Sequence, residues 1–210
     1  MSVPENLERK LANRINEGNY RSLNLNSGLI DFTSNDYLGL ARNKQLSEQI
    51  LSRTQTLQNG STGSRLLSGN SEIIIETEQT LSRQLGSQHA LIFNSGYLAN
   101  LAVFSTLPQR GDSVIYDELS HACIKDGIRL SLASKFSFKH NNLSDLINKL
   151  DRASGNKYIA IESIYSMDGD QAPLSDVIAI AKKYEAKVII DEAHGTGVLG
   201  KNGGGLSEEL

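Results

Sequence analysis

Side chains that can hold or move a proton follow directly on an unbroken apolar run near residue 190. Val188, Ile189 and Ile190 are followed at once by Asp191 and, three residues later, by His194. Consecutive β-branched residues without polar alternation are typical of a strand buried on both faces of a parallel sheet. Ligands of such sheets bind beyond the carboxyl ends of the strands. The sequence therefore predicts that Asp191 and His194 face a bound ligand.

Three earlier apolar runs end in the same way, with polar residues at the predicted strand end. The continuations are Asn94-Ser95-Gly96-Tyr97 after residues 89–93, Asp117-Glu118-Leu119-Ser120-His121 after residues 112–116, and Glu162 to Asp170, with Ser166 among them, after residue 161. Ser95 can cap a helix with Gly96 in its first turn, and the free N–H groups at a helix start bind phosphate. Because the carboxyl ends of parallel strands meet at one edge, we expect these residues to lie together.

One anion-binding helix start, two imidazoles, two acids and several hydroxyls suit a small phosphorylated ring better than a dinucleotide. Pyridoxal phosphate is such a ring. Its pyridine nitrogen must stay protonated to act as an electron sink, and a buried carboxylate from Asp191 would hold that proton. The imidazole of His121 could stack over the ring, while Ser166 and His194 could hydrogen-bond its 3-hydroxyl. The residues at the strand ends thus predict a pyridoxal phosphate site.

Other kinds of binding site fit these residues less well. Asp-Glu-Ala-His is also a helicase signature, but that function needs an earlier phosphate loop with lysine, and the glycine-rich residues 60–65 contain none. His121 and His194 with Asp191 or Glu162 could bind zinc, yet the close spacing typical of such sites is missing, so no metal is predicted. Neither a Gly-x-Ser-x-Gly elbow nor the glycine pattern of a dinucleotide fold is present.

Composition excludes several classes of partner. The 210 residues carry a formal charge of -3 with both signs interspersed, which argues against nucleic-acid binding. The N-terminus has no secretory signal pattern, and no apolar run approaches the roughly 18 residues of a membrane helix, so we expect no membrane association. The single cysteine, Cys123, excludes an intrachain disulfide and fits a reducing compartment. We therefore expect a cytoplasmic protein.

The elements that must position these side chains alternate between strand and helix. Predicted strands cover residues 29–33, 89–93, 112–116, 135–138, 158–162 and 187–191; predicted helices cover residues 4–17, 44–57, 72–85, 95–107, 120–133, 143–151 and 174–184. Alternation of this length implies right-handed crossovers and a mostly parallel sheet covered on both faces, that is, an α/β fold. We divide the chain into an N-terminal helix with its connecting segment, residues 1–40, and a ligand-binding large domain, residues 41–210.

Six motifs along the chain resemble those of one enzyme family. They are Ser34-Asn35-Asp36-Tyr37-Leu38-Gly39-Leu40, Gly63-Ser64-Arg65 with Gly69-Asn70, Asn94-Ser95-Gly96-Tyr97-Leu98-Ala99-Asn100, Leu119-Ser120-His121-Ala122, Ser166 to Leu174, and Asp191 to Gly197. In this order they resemble the α-oxoamine synthases, which are pyridoxal-phosphate enzymes of fold type I, and within them most closely the 8-amino-7-oxononanoate synthase branch. The match runs from about residue 20 to the C-terminus.

The resemblance implies a condensation of an amino acid with an acyl thioester, an acyl-CoA or an acyl carrier protein, usually followed by loss of carbon dioxide. It also implies the roles of individual residues. By the family pattern Gly96 and Tyr97 hold the cofactor phosphate, His121 stacks on the ring, Ser166 and His194 contact the ring oxygen, Asp191 pairs with the ring nitrogen, Asn35 lies by the substrate, and Arg21 meets a substrate carboxylate. We also expect Ser95 and Glu162, at the same strand ends, to bind the cofactor. Arg14 competes with Arg21 for that last role. Family members are dimers, so we expect a homodimer in which residues 60–69 reach the neighbouring site.

One family feature is missing from these 210 residues. The Schiff-base lysine of the family lies a few tens of residues after Asp-x-Ala-His in a Ser/Thr-Lys-Ala context, and none of Lys182, Lys183, Lys187 and Lys201 has that context. We therefore expect the 210-residue chain alone to lack the lysine region and the small domain, and to be inactive.

Two other hypotheses follow from the missing lysine and from the fold. A non-catalytic partner subunit would lack the lysine, although the retained His121, Asp191 and His194 argue against it. Another fold-type I enzyme, such as an aminotransferase or an amino-acid lyase, is disfavoured by residues 34–40 and 60–69. The sequence separates neither the acyl donors nor the amino acids that the family uses.

Overall fold

A computed structural model describes residues 3–23 and 28–210. These fall into two compact units, residues 1–35 and 36–210. The helices in the described part of the chain are too short or too polar to cross a bilayer. The division predicted at residue 40, between a connecting segment and the ligand-binding domain, stays a prediction.

The described residues of the first unit form one helix, α1, Glu5–Asn16. It ends where predicted, because Gly18 adopts a left-handed φ of 68° and the Asn19 N–H returns to the Arg14 carbonyl at 2.8 Å. The strand predicted at residues 29–33 is wrong. Asp31 instead accepts hydrogen bonds from the backbone N–H and the hydroxyl of Thr33, both at 2.8 Å, so a local side-chain turn replaces the extended ladder.

The second unit begins with a short 3₁₀ helix, Leu40–Arg42, and three α-helices: α2, Lys44–Thr54, α3, Glu72–Gln84, and α4, Gly96–Thr106. The strand predicted at residues 89–93 is wrong, because no described strand pairs with it. Its Ile92 N–H donates to a Glu78 side-chain oxygen at 2.8 Å. Glu78 also pairs with both terminal nitrogens of Arg65, at 2.5 and 2.9 Å, which fixes one side of the glycine-rich residues 60–69.

The rest of the second unit is a β-sheet whose strands alternate with helices along the chain, as predicted. Its elements are β1, Ser113–Asp117; α5, Ala122–Leu130; β2, Ser134–Phe138; α6, Leu143–Asp151; β3, Lys157–Glu162; α7, Leu174–Lys183; β4, Lys187–Asp191; and a short 3₁₀ helix, Leu206–Glu209. All four strands are parallel, in the order β2-β1-β3-β4. The register aligns Ile115 with Ile159 and Glu162 with Asp191. The predicted fold class, an α/β fold with a mostly parallel sheet flanked by helices, is confirmed.

Helices cover both faces of the sheet and bury alternate residues of each strand. On one face, Ile115 and Ile159 pack with α6 and α7; on the other, Val114 and Tyr158 pack with α4 and α5. This double burial explains why β3 reads as a continuous apolar run. Its consequence is that the first polar side chain after the apolar run of β3, and likewise of β4, falls at the carboxyl edge.

Candidate functional site

Three adjacent strands end in a carboxylate at the same edge of the sheet. Asp117 ends β1, Glu162 ends β3 and Asp191 ends β4. Asp117 and Glu162 are buried, at 0% and 4% exposure, and Asp191 is half-buried. Three acids this close repel one another in a poorly hydrated site, so each needs a compensating donor. The donors identify what each carboxylate is arranged to do.

The Asp191 carboxylate is held through both oxygens. Its Oδ2 accepts from the side-chain amide of Asn100 on α4 at 2.6 Å, and its Oδ1 accepts from the Ala193 N–H at 2.8 Å. Each carboxylate oxygen has a second lone pair. The side chain is therefore fixed in direction and keeps acceptor capacity for one further N–H, which is what a protonated ring nitrogen requires.

Glu162 is bound to the residue that begins α5. One of its oxygens accepts the backbone N–H of His121. Burial is the largest cause that raises the Glu162 pKa; against the opposing effect of the His121 N–H, and with the added effect of the charges of Asp191 and Asp117, the pKa is raised to about 7. Glu162 is thus a carboxyl group that gains or loses a proton near neutral pH, next to the predicted ring-stacking imidazole.

The His121 side chain is exposed at the start of α5. Its Nδ1 lies 2.8 Å from the Cys123 sulfur and accepts the Cys123 N–H at 3.3 Å. The Tyr97 ring meets it edge-on, with centroids 6.4 Å apart. The position of Nδ1 is therefore determined by its own helix, which leaves the other ring nitrogen and the ring face exposed to a ligand.

The start of α4 is open to a ligand. Ser95 caps it by accepting the Leu98 N–H at 3.2 Å, and a side chain built on Gly96 would meet no atom within 4 Å. The Tyr97 hydroxyl donates to Asp126 at 2.5 Å, which raises the Tyr97 pKa. The exposed first turn of an eleven-residue helix, with no side chain on Gly96, thus leaves room for an anion at the positive end of the helix, as a phosphate site requires.

Ser166 lines two cavities, one beside each imidazole. Residues that line a cavity of about 300 Å³ include His121, Glu162 and Ser166. Residues that line a second cavity, of about 270 Å³, include Ser166, Tyr37 and His194. The Tyr37 hydroxyl lies 2.7 Å from His194 Nδ1. The structure therefore brings Ser166 near both predicted ring-contacting histidines.

The two predicted substrate residues, Arg21 and Asn35, belong to the first unit. Arg21 and its competitor Arg14 line the same cavity of about 700 Å³, together with Leu11. The roles of both predicted substrate residues stay predictions, as do the roles of the other site residues. No group of three metal-ligating side chains occurs among residues 3–23 and 28–210.

Sequence reasoning assigned no role to Asn100 or His140, both of which the structure places at the strand ends. Asn100 lies four residues after Gly96 on α4, the spacing that puts two residues on one helix face, and this signal could have identified it. His140 follows the end of β2 at Phe138 and contacts Asp117 at 2.9 Å. No local pattern in the sequence indicates this contact, because Asp117 lies 23 residues before His140.

The chain matches the family model described as aminotransferase class I and II over residues 27–208. It is 43% identical to a putative 8-amino-7-oxononanoate synthase of Bacillus licheniformis, covering 99% of this chain and 56% of that one. Among solved structures, a serine palmitoyltransferase variant from S. paucimobilis, with a bound PLP–myriocin aldimine, has a TM-score of 0.86 at 31% identity over 97% of this chain and 57% of that one. An 8-amino-7-oxononanoate synthase from Francisella tularensis has a TM-score of 0.70 at 35% identity over 86% and 50%. The chain spans about half the length of the relatives it matches.

Proposed function

Because the chain belongs to the family described as aminotransferase class I and II and, within that family, to the α-oxoamine synthases, we propose that it acts in a pyridoxal-phosphate-dependent condensation of an amino acid with an acyl thioester. One observation carries the proposal. Asp191 is held through both oxygens at the end of β4, beside Glu162 and the helix start that bears His121. That edge offers an oriented acceptor and an exposed imidazole at neighbouring strand ends.

The donors and acceptors at this edge fit the chemistry of pyridoxal phosphate. The start of α4, at Ser95, Gly96 and Tyr97, suits the phosphate because this first turn is exposed and has open space beside Gly96. The Asp191 carboxylate suits a protonated ring nitrogen, which needs an acceptor. When bound, this cofactor supplies an electron sink for the electron pair left when the amino acid loses a proton.

The residues of this chain then have separable tasks. Asp191 holds the proton on the ring nitrogen, and Asn100 and the Ala193 N–H keep its carboxylate in place. His121 covers one face of the ring, while Ser166 and His194 orient its oxygen. None of these tasks requires a side chain to leave its observed hydrogen bonds.

The names of the relatives support more specific proposals for the substrates and the partner. The B. licheniformis relative supports an 8-amino-7-oxononanoate synthase activity, in which an acyl-CoA or acyl carrier protein is the donor, as in biotin biosynthesis. The serine palmitoyltransferase neighbours support a long-chain acyl-CoA donor instead, and 2-amino-3-ketobutyrate CoA ligase is a further alternative. We propose a cytoplasmic homodimer, with Arg21 and Asn35 on the substrate.

The test is release of free CoA thiol by the protein as its gene encodes it, supplied with pyridoxal phosphate. Alanine, glycine or serine is paired in turn with pimeloyl-CoA, acetyl-CoA or palmitoyl-CoA. We expect release that requires both cofactor and amino acid. Asp191→Asn should abolish it, while Asp176→Asn, which removes an exposed carboxylate from α7, should keep it. Conversion of the amino acid to its 2-oxo acid without thiol release would indicate an aminotransferase, and no turnover with any pair would favour a non-catalytic subunit.

A further inference from the structure

His140 lies between two carboxylates from different parts of the chain. Its Nδ1 is 2.9 Å from Asp117 Oδ1 at the end of β1, and its Nε2 is 2.7 Å from Asp170 Oδ2 in the segment that joins β3 to α7. Ionised carboxylates only accept hydrogen bonds, so both imidazole nitrogens must donate. An imidazole with two N–H groups carries a positive charge.

The surroundings of His140 favour that charge. Asp117 is fully buried, and its other donors are the backbone N–H groups of Leu119 and Asn141, at 2.8 and 2.9 Å. A buried carboxylate is stabilised when a cation binds it directly. Asp117 and Asp170 raise the His140 pKa, although burial of the ring opposes them.

The other groups around His140 complete this cluster. Glu118 accepts the His140 backbone N–H at 3.1 Å, and the Asn141 amide donates to Asp170 at 2.8 Å. The Tyr165 ring meets the imidazole edge-on, with centroids 4.5 Å apart. The titratable groups that face His140 are thus three carboxylates and one phenol, and none of them is a cation.

The same contacts determine the position of the segment that bears Ser166. Tyr165 and Asp170 flank Ser166, and the Tyr165 N–H donates to the Asp170 carbonyl at 3.0 Å, which closes the segment into a loop. The Tyr165 hydroxyl and Asp170 Oδ1 are buried without a hydrogen-bond partner among the described residues. His140 and Asn141 therefore supply the side-chain hydrogen bonds that reach the Asp170 carboxylate from outside this loop.

We propose that His140, as an imidazolium bound to Asp117 and Asp170, is a positioning residue that holds the Ser166 loop against the cofactor site. The part of this proposal that concerns the cofactor rests on the proposed function. When His140 loses a proton, one nitrogen becomes an acceptor and one of the two carboxylate contacts is lost. His140 then no longer bridges the end of β1 and the Ser166 loop; the Asn141 amide still bonds Asp170, but Ser166 is held less firmly beside His121 and His194.

The first test measures the charge on His140 without cofactor. The protein as its gene encodes it is labelled with ¹⁵N-histidine, and the ring signals of its histidines are followed from pH 5 to pH 9; His140→Asn assigns one set by its absence. We expect both His140 nitrogens to carry protons well above pH 6.5, and Asp170→Asn to lower that transition. A neutral His140 ring at pH 6.5 would overturn the proposal, whether or not the protein binds pyridoxal phosphate.

The second test measures the consequence at the cofactor site. His140→Asn retains a donor for Asp117 but cannot reach Asp170. We expect it to weaken pyridoxal phosphate binding about tenfold at pH 7 and to shift the absorbance band of the bound cofactor, because Ser166 is displaced. The wild type should acquire the same band as the pH rises past the His140 transition, and the variant should not change there. His89→Asn, which alters an exposed histidine, should match the wild type. An unchanged band and affinity in His140→Asn would contradict the positioning role, and failure of the wild type to bind cofactor would contradict the proposed function alone.

Discussion

The side-chain amide of Asn100 donates to Asp191 Oδ2 at 2.6 Å and to the Cys123 sulfur at 3.2 Å. It thereby links the end of β4 to the first turn of α5, where Cys123 contacts the His121 ring at 2.8 Å. One amide on α4 thus fixes the carboxylate proposed to bind the ring nitrogen and contacts the neighbour of the imidazole proposed to cover the ring.

Removal of this amide should weaken cofactor binding. We expect Asn100→Ala to raise the dissociation constant for pyridoxal phosphate about tenfold, because a hydrogen bond to a charged group contributes roughly 1.5–3 kcal/mol and the Ala193 N–H remains. Fluorescence titration with cofactor measures it. Asn148→Ala removes an exposed amide from α6 and should bind like the wild type. Equal affinity of both variants would show that Asn100 does not orient Asp191.

The raised pKa of Glu162 predicts how stability depends on pH. The pKa is about 7 in the folded protein against an ordinary value of 4.5, so the folded state binds this proton more tightly. The free energy of unfolding should therefore fall as the pH rises from about 4.5 to about 7, and level off above that. Glu162→Gln keeps an acceptor for the His121 N–H and removes this loss, so it should be more stable than the wild type above pH 7 by up to about 3 kcal/mol.

Urea unfolding without cofactor at several pH values between 5 and 8 measures the effect. Glu48→Gln removes an exposed carboxylate from α2 and serves as the charge control. The difference between Glu162→Gln and the wild type should grow with pH, while Glu48→Gln should follow the wild type. A constant difference across this range would mean that Glu162 does not titrate there.

Close contact of α4 and α5 makes Gly127 intolerant of a side chain. A Cβ on Gly127 would lie 2.8 Å from the Phe104 Cβ and 3.1 Å from the Asn100 carbonyl oxygen. Alanine favours a helix over glycine by about 1 kcal/mol, but overpacking costs about 1–3 kcal/mol. We expect Gly127→Ala to lower the free energy of unfolding by about 1 kcal/mol.

The matched control is Gly60→Ala, because a Cβ there meets no atom within 4 Å and the backbone is not left-handed. Thermal unfolding of the two variants compares them. Gly127→Ala should melt several degrees below the wild type and Gly60→Ala close to it. If Gly127→Ala were the more stable protein, helix propensity would outweigh packing, and the two helices would be less closely packed than observed.

The sheet could be predicted from the sequence because its strands carry their own signal. The apolar runs of β3 and β4 are continuous since both faces are covered, and β4 runs from Lys187 to Asp191 as predicted. The segments at residues 29–33 and 89–93 have similar composition but no paired strand among the described residues. Apolar composition shows that a segment can form a strand, whereas pairing depends on residues far away in the sequence.

The candidate site divides in the same way. The positions of Glu162 and Asp191 at neighbouring strand ends followed from reading each strand to its last apolar residue, and the register pairs them. The spacing of Asn100 from Gly96 indicates its helix face but not its bond to Asp191, which lies 91 positions away, and the partners of His140, 23 and 30 positions away, could not be predicted. Strand ends are a local property of the sequence, whereas the hydrogen bonds that orient them are not.

The most direct test of the account is a crystal structure of the protein as its gene encodes it, grown with pyridoxal phosphate. We predict that the pyridine nitrogen lies about 2.7–3.2 Å from the Asp191 carboxylate, with His121 over the ring and the phosphate at the start of α4. A cofactor bound elsewhere, or a ring whose nitrogen faces away from Asp191, would contradict the assignment of this sheet edge as the cofactor site.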